Sequence, residues 1–365
     1  MMMIEKELFG YLTDERPVTL YRIRNKWGEM AELLDYGAVI HGIFVHDSSG
    51  RLVDVTLGVP DAKELEGFSF AGITIGRVAN RIAFGRYDWE GKTVQLEQNW
   101  KGHFMHGASG NYAHRFFKVE PEGENTLKMF LDDCGDGGFG CKAEVEVDFS
   151  FDDEHRLTID YTVTAGGDTL LCPTNHVYFN LSGTGREILN HQLQVYTELY
   201  APVGVNNMPE GRIASVEGTP MDFRVPRTIG EALETRQEVF FRHPQPQFDD
   251  TFLLTIPGSE RKLFCAAVLK NPDNGICMGV YTDMPAMVMF TPFIKETRRG
   301  KAGLYYAGYG GIAFETQFVP NAVNCTSYDI PFFRKGETLK SRTSYAFCDK
   351  SYLQYYSVIS ANREN

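Results

Sequence analysis

Lys142-Ala143-Glu144-Val145-Glu146-Val147-Asp148-Phe149-Ser150-Phe151 alternates polar and apolar residues without a slip. A period of two places every second side chain on the same face, so this stretch reads as a β-strand with one wet and one buried face. The polar turn Asp152-Asp153-Glu154-His155 follows, and Leu157, Ile159, Tyr161 and Val163 then alternate again, as a hairpin partner should. The same pattern recurs upstream in Thr19 to Arg24, a turn at Trp27-Gly28, Ala31 to Leu34, Ala38 to His46, and Leu52 to Leu57. Helical patterning is confined to one turn at Asp61 to Glu66 and a short helix over Ile229 to Phe240. Many short strands without intervening helices predict an all-β fold of packed antiparallel sheets, and argue against a nucleotide-binding α/β fold. No repeat or low-complexity linker divides the chain, so residues 1–348 are expected to form one domain; 349–365 form a C-terminal tail with no assigned structure.

Composition agrees with a large core: 26 Phe and 18 Tyr in 365 residues supply apolar mass that a disordered chain lacks. A net charge of -12 would repel nucleic acid and anionic membrane surfaces, which leaves a neutral or cationic small molecule as the natural partner. Glu5, Lys6 and Glu7 interrupt the amino terminus where a signal peptide needs apolar residues, and no run approaches the ~20 apolar residues of a membrane span. A cytoplasmic protein is expected. Seven scattered cysteines with no C-x-x-C pair point to reduced thiols rather than zinc or disulfides. Nothing in the sequence sets the oligomeric state.

Four polar segments sit beside Gly, Pro or aromatic residues at the ends of apparent strands, where sites are usually built. In Gly76-Arg77-Val78-Ala79-Asn80-Arg81-Ile82, Arg81 offers a fork of donors suited to several hydroxyls, or to a structural ion pair. In His103-Phe104-Met105-His106-Gly107, His106 is a candidate contact because the following glycine lets a ligand approach the backbone; a satisfied loop histidine reads the same. Cys172-Pro173-Thr174-Asn175-His176-Val177-Tyr178-Phe179-Asn180-Leu181 puts His176, Tyr178 and Asn180 on one face of an extended strand. Such polar density is costly in a core without partners, which favours a pocket wall. In Gly310-Gly311-Ile312-Ala313-Phe314-Glu315-Thr316-Gln317, the apolar approach to Glu315 would desolvate its carboxylate and raise its proton affinity, as suits a base near neutrality. A hydrogen-bonded buried Glu would look alike. Asp249-Asp250 reads as a solvated turn, and Asp132-Asp133-Cys134-Gly135-Asp136-Gly137 as a turn rather than a calcium loop, because Ala143 stands where a terminal Glu is required.

Taken in this order, the segments resemble the aldose 1-epimerase family, also called galactose mutarotases. The resemblance runs from residue 15 to 348, and its specific parts are Thr174-Asn175-His176-Val177-Tyr178-Phe179-Asn180-Leu181 and Glu315-Thr316-Gln317 followed by Pro320. His106-Gly107, Gly218-Thr219-Pro220-Met221-Asp222-Phe223-Arg224 and Phe248-Asp249 extend it. The resemblance implies a large antiparallel β-sandwich of the galactose mutarotase type with an open sugar groove. It makes Glu315 the general base, His176 the general acid, and Asn80, Arg81, His106, Tyr178 and Asp249 contacts to sugar hydroxyls or catalytic aids. It implies a free monosaccharide as substrate, no cofactor and no metal. Asp250, Thr251, Val288 and Asn321 depart from the family's usual His, Asn, Gln and Asp, which bears on substrate preference and leaves acid and base in place.

The expected reaction is ring opening of a hemiacetal and reclosure to the other anomer. Two other classes compete: a sugar sensor that retains the groove without turnover, and a glycoside hydrolase using Asp249 and Glu315 as its carboxylate pair. A sugar-phosphate epimerase is disfavoured by the acidic charge and the absence of an Arg cluster near these motifs.

Overall fold

The computed structural model describes residues 4–67, 71–236 and 245–347. The alternating stretch that opens the sequence reading is strand Ala143–Phe151, and its partner is Arg156–Ala165; their register runs from Ala143 opposite Ala165 to Phe151 opposite Leu157. The inward residues Val145, Val147, Phe149, Leu157, Ile159, Tyr161 and Val163 are all buried. This hairpin lies within a nine-stranded sheet, running Lys118–Glu122, Thr126–Asp133, Ala143–Phe151, Arg156–Ala165, Thr338–Phe347, Cys277–Thr282, Phe264–Lys270, Gln192–Val195 and Arg227–Thr228. Every pairing between these strands is antiparallel. A five-stranded meander from Glu5–Tyr11 to Leu52–Asp54 takes up the first part of the chain; its last four strands fall where strands were expected, and Glu5–Tyr11 is an addition.

The second large layer is a six-stranded sheet in the order Tyr178–Phe179, Ile312–Gln317, Ala286–Phe290, Asp249–Leu253, Leu199–Ala201 and Ala214–Ser215. One of its faces packs on the nine-stranded sheet. The Phe179 ring lies 4.6 Å from that of Tyr345, and the Thr316 and Thr343 hydroxyls meet at 2.5 Å. These contacts make the two sheets a sandwich, with Phe314, Met287, Met289 and Phe252 inside it. The opposite face carries the candidate site.

Helix is scarce, as expected. Glu64–Gly67 forms a single turn and Ile229–Arg236 a short helix; the remainder of the stretch read as helical, 237–240, lies outside the described residues, as does the tail 349–365. Among the described residues, no helix is long and apolar enough to cross a membrane.

Candidate active site

Registers across the six-stranded sheet decide which residues meet. Tyr178 pairs with Ala313, Ala313 with Phe290, and Phe290 with Asp249, so these side chains form one row on a common face. In the next row Glu315 pairs with Val288 and Val288 with Thr251. Extending the register of Tyr178 and Phe179 by two residues sets His176 opposite Glu315, although there the chain leaves the sheet and the His176 N–H donates to Ile73 O instead. The result is direct: His176 Nε2 lies 3.4 Å from Glu315 Oε1, with both side chains about 3% exposed. Strands are about 4.8 Å apart and two residues span about 6.6 Å, so Glu315 and Asp249 are separated by about 12 Å at their backbones, enough to bracket one sugar ring.

The remaining groups arrive from two crossing segments. Gly76 to Ile82 and Phe104 to Gly107 pair through Arg81 opposite Met105. A Cβ on Gly107 would lie 2.0 Å from the Gly76 carbonyl oxygen, so the close approach expected beside His106 is made by backbone rather than ligand. Asn80 and His106 both hold left-handed backbone, at φ 61° and 50°. They are bound reciprocally: Asn80 N–H donates to His106 Nδ1 at 3.1 Å and His106 N–H to Asn80 O at 2.9 Å. Asn80 Oδ1 accepts from Arg81 Nη1 at 3.0 Å, and Arg81 Nη2 donates to Asp249 Oδ2 at 2.9 Å. The Trp100 ring covers the guanidinium at 4.6 Å. His176 stands 4.8 Å from the Tyr178 ring and 5.9 Å from that of His106. All seven expected site residues therefore belong to one connected cluster, in which Asp249, 15% exposed, is more accessible than His176 and Glu315.

Burial sets the electrostatics. It pushes Glu315 up from 4.5 to about 8, with the charge of Asp249 adding to the rise and that of Arg81 opposing it. Burial lowers His176 from 6.5 to about 4, so its imidazole is neutral at pH 7. Burial, followed by the neighbouring His176 and Arg81, also holds His106 well below its ordinary value. Burial pushes Asp249 upward too, but the charge and hydrogen bond of Arg81 and the amide of Asn207 outweigh it, leaving this carboxyl below the usual range. Two acids on one face thus take opposite settings: Glu315 keeps its proton near neutrality and Asp249 is ionised. Glu315 Oε2 is buried without a hydrogen-bond partner among the described residues. Its cross-strand neighbour, Val288, is apolar and buried, and offers that oxygen no hydrogen bond.

His106, His176 and Glu315 could be read as a metal set, since one ligand atom from each lies within 4.8 Å of the others. The hydrogen bonding favours another use. Because His106 Nδ1 accepts from Asn80 N–H, a neutral ring carries its hydrogen on Nε2, which suits donation to a sugar oxygen.

Several readings change at this level. Asp249-Asp250 is the start of a buried strand, not a solvated turn: Asp249 faces the site, while Asp250 points to the core face and pairs with Arg236 at 2.8 Å. Asn180 does not line the pocket with His176 and Tyr178. Its Nδ2 donates to the carbonyls of Arg186 and Gly310, which ties loops together. Asp133, in the turn that superficially resembles a calcium loop, forms a buried ion pair with Arg77 at 2.7 Å. Two further polar residues were missed. Gln317, two positions beyond Glu315 on the same face, is fully buried with neither amide atom hydrogen-bonded to a described residue. Asn207 donates from Nδ2 to Asp249 Oδ2 at 2.5 Å. An Asn-Asn pair reads as a loop in sequence, and nothing local to it marks a role.

Fold and site together define a β-sandwich protein with a buried carboxyl–imidazole pair on one sheet face. Its sequence matches the aldose 1-epimerase family model over residues 19–346, and the chain belongs to that family. It is 30% identical over 339 residues to the aldose 1-epimerase of Escherichia coli K12, covering 92% of this chain and 96% of the relative. It is 32% identical over 338 residues to the galactose mutarotase of Mus musculus, covering 87% and 90%. Among solved structures, the GalM/aldose epimerase homologue of C. elegans superimposes with a TM-score of 0.81 at 25% identity, covering 90% of this chain and 98% of that one. The galactose 1-epimerase of Lactobacillus acidophilus NCFM shares the fold, with a TM-score of 0.78 at 22% identity over 96% and 99%.

Proposed function

We propose that Glu315 and His176 open and reclose the ring of a free aldose, interconverting its α and β anomers. The observation that carries this reading is the 3.4 Å approach of His176 Nε2 to Glu315 Oε1 inside a buried site. In the forward step, Glu315 takes the proton of the anomeric hydroxyl and the C1–O1 bond becomes a carbonyl. The bond from C1 to the ring oxygen breaks as that oxygen receives a proton from His176. Rotation about C1–C2 and reversal of both transfers gives the other anomer, with no net gain or loss of protons and no redox change.

Ring opening leaves Glu315 protonated and His176 neutral. Burial favours that same distribution in the free protein. The cyclic sugar is therefore opened by the minor form in which the shared proton sits on His176 and Glu315 is ionised, and the open-chain state returns the pair to its resting distribution. Arg81, Asp249, Asn80, His106 and Tyr178 hold the hydroxyls, and positioned acid and base groups contribute on the order of 10²- to 10⁴-fold each. The relatives lend no support to the sensor or hydrolase readings.

A neutral monosaccharide as ligand, a cytoplasmic setting and no nucleic acid or membrane partner complete the proposal, supported by the net charge of -12. The packing of Phe179 and Thr316 against Tyr345 and Thr343 supports treating residues 1–348 as one domain. Polarimetry of freshly dissolved α-glucose, α-galactose and a pentose tests the activity: the protein should speed the approach to equilibrium rotation without moving the end point. Decay at the buffer rate for every sugar would overturn it.

A further inference from the structure

Asp249 leaves its two oxygens in different conditions. Oδ2 accepts from both Arg81 Nη2 and Asn207 Nδ2, at 2.9 and 2.5 Å. Oδ1 is left to face outward. Asn207 uses its amide nitrogen on Asp249, and no described residue donates to its amide oxygen. One carboxylate oxygen and one amide oxygen, both acceptors, are thus left without a described donor, on two groups linked through a single hydrogen bond.

The loop that delivers Asn207 is fixed at both ends. Gly204 N–H donates to Met208 O at 2.7 Å and Glu210 N–H to Pro202 O at 2.8 Å, closing a narrow hairpin-like turn. Asn206 and Asn207 both adopt left-handed backbone, at φ 56° and 51°, a conformation asparagine tolerates better than most residues. The Asn206 amide meets His103 Nε2 at 3.2 Å, and His103 Nδ1 accepts from Phe84 N–H at 3.0 Å. The loop is therefore tied to the wall that carries Arg81, so Asn207 is held against Asp249 from a separate element.

We infer that Asn207 and Asp249 act as a paired acceptor for two adjacent hydroxyls of the sugar, on the side of the ring away from the anomeric carbon. This rests on the proposed anomerisation, which puts C1 and the ring oxygen at Glu315 and His176. Neighbouring hydroxyls on a pyranose are spaced to meet two such acceptors at once. The ligand class follows: an aldopyranose with a free vicinal diol at its C3 and C4 side. Asn207 is then a specificity-determining residue. Sites that hydrogen-bond a hydroxyl reject analogues lacking it much more strongly than apolar pockets do.

The test is a cycle between protein and substrate. kcat/KM for mutarotation is measured for glucose, 3-deoxyglucose and 4-deoxyglucose with the wild-type protein, Asn207→Ala and Asn207→Gly. Glycine accepts left-handed backbone freely, so agreement between the two variants separates the lost amide from backbone strain. In the wild type, removing the bound hydroxyl should cost about tenfold or more; in both variants that penalty should largely vanish for one deoxy sugar, with KM rising and kcat nearly unchanged for glucose. An equal penalty in wild type and variants for both deoxy sugars would overturn the inference. Wild-type turnover of glucose in the same series keeps that failure distinct from failure of the proposed reaction.

Discussion

Asp249 and Asp250 are neighbours in sequence and opposites in use. Asp250 is buried and Asp249 half-buried, and each pairs with an arginine, Asp249 with Arg81 at 2.9 Å and Asp250 with Arg236 at 2.8 Å. The strand pleat sends them to different faces of one sheet. On the core face the charge is enclosed: Arg236 also lies on the Phe248 ring at 4.9 Å and beside Met221 Sδ, and Asp250 accepts from Asp249 N–H. On the site face polar groups are left unfinished, as at Glu315 Oε2 and both amide atoms of Gln317. A buried ion pair is thus no sign of function by itself. The useful contrast is between charge that neighbours fully satisfy and charge held ready for something else.

The largest effect expected from breaking the site face is at Glu315. Glu315→Gln keeps the shape but cannot accept a proton, so kcat should fall about 10³-fold or more in polarimetry while sugar binding persists. Combined with His176→Asn, the loss should be smaller than the product of the two single losses, because both residues act in one step. Stability should move the other way. Glu315 has a folded affinity raised from 4.5 to about 8, so its favourable contribution is complete below 4.5 and is lost as pH rises through about 8. Glu315→Gln removes that loss, so its thermal midpoint should gain on that of the wild type between about pH 5 and 8 and the difference should level off above pH 8. A variant that is inactive but no more stable at alkaline pH would mean that the carboxyl is not desolvated as described.

Asp250→Asn should do the reverse. It leaves Arg236 buried without its counter-charge, a loss of about 3 to 5 kcal/mol of folding stability. The folded fraction should retain nearly wild-type kcat/KM, checked by denaturant titration alongside polarimetry. A selective fall in kcat/KM with unchanged stability would place Asp250 in the site and erase the contrast.

How much of this was legible in the sequence follows from distance along the chain. The hairpin at 143–165 could be read because its alternation is local and uninterrupted. Glu315 could be read because Ile312, Ala313 and Phe314 announce a buried strand. The adjacency of Asp249 and Asp250 misled for the opposite reason: two acids in a row look solvated, and nothing local reveals Arg81 and Arg236, each supplied by another element. Asn180 was misplaced because the extended geometry assumed across 174–180 breaks between two short strands, Thr174–Asn175 and Tyr178–Phe179. Family resemblance, rather than pattern, singled out Asp249 as a sugar contact. Asn207 escaped both, since its role exists only once the loop folds back.

The finest distinction between the two faces is in the pH profile. The reacting form needs Glu315 ionised and His176 protonated, which has the same proton count as the resting form with those charges exchanged. Its share is therefore constant while the pair holds one proton, and kcat/KM should be flat between about 4 and about 8, falling on either side. A profile that instead climbs through pH 8 to a plateau would mean that His176 acts from its neutral form. Asp249→Asn should slide both limbs to lower pH. Its charge helps to raise Glu315 and also raises His176, and its loss leaves Arg81 as an uncompensated cation that lowers Glu315 further. Asp250→Asn, on the far side of the same strand, should leave both limbs in place. The expected shift is smaller than the turnover and stability effects above, so it is best read as a paired comparison of the two variants in one buffer series. Equal shifts in both would show that the sheet does not separate the two charges.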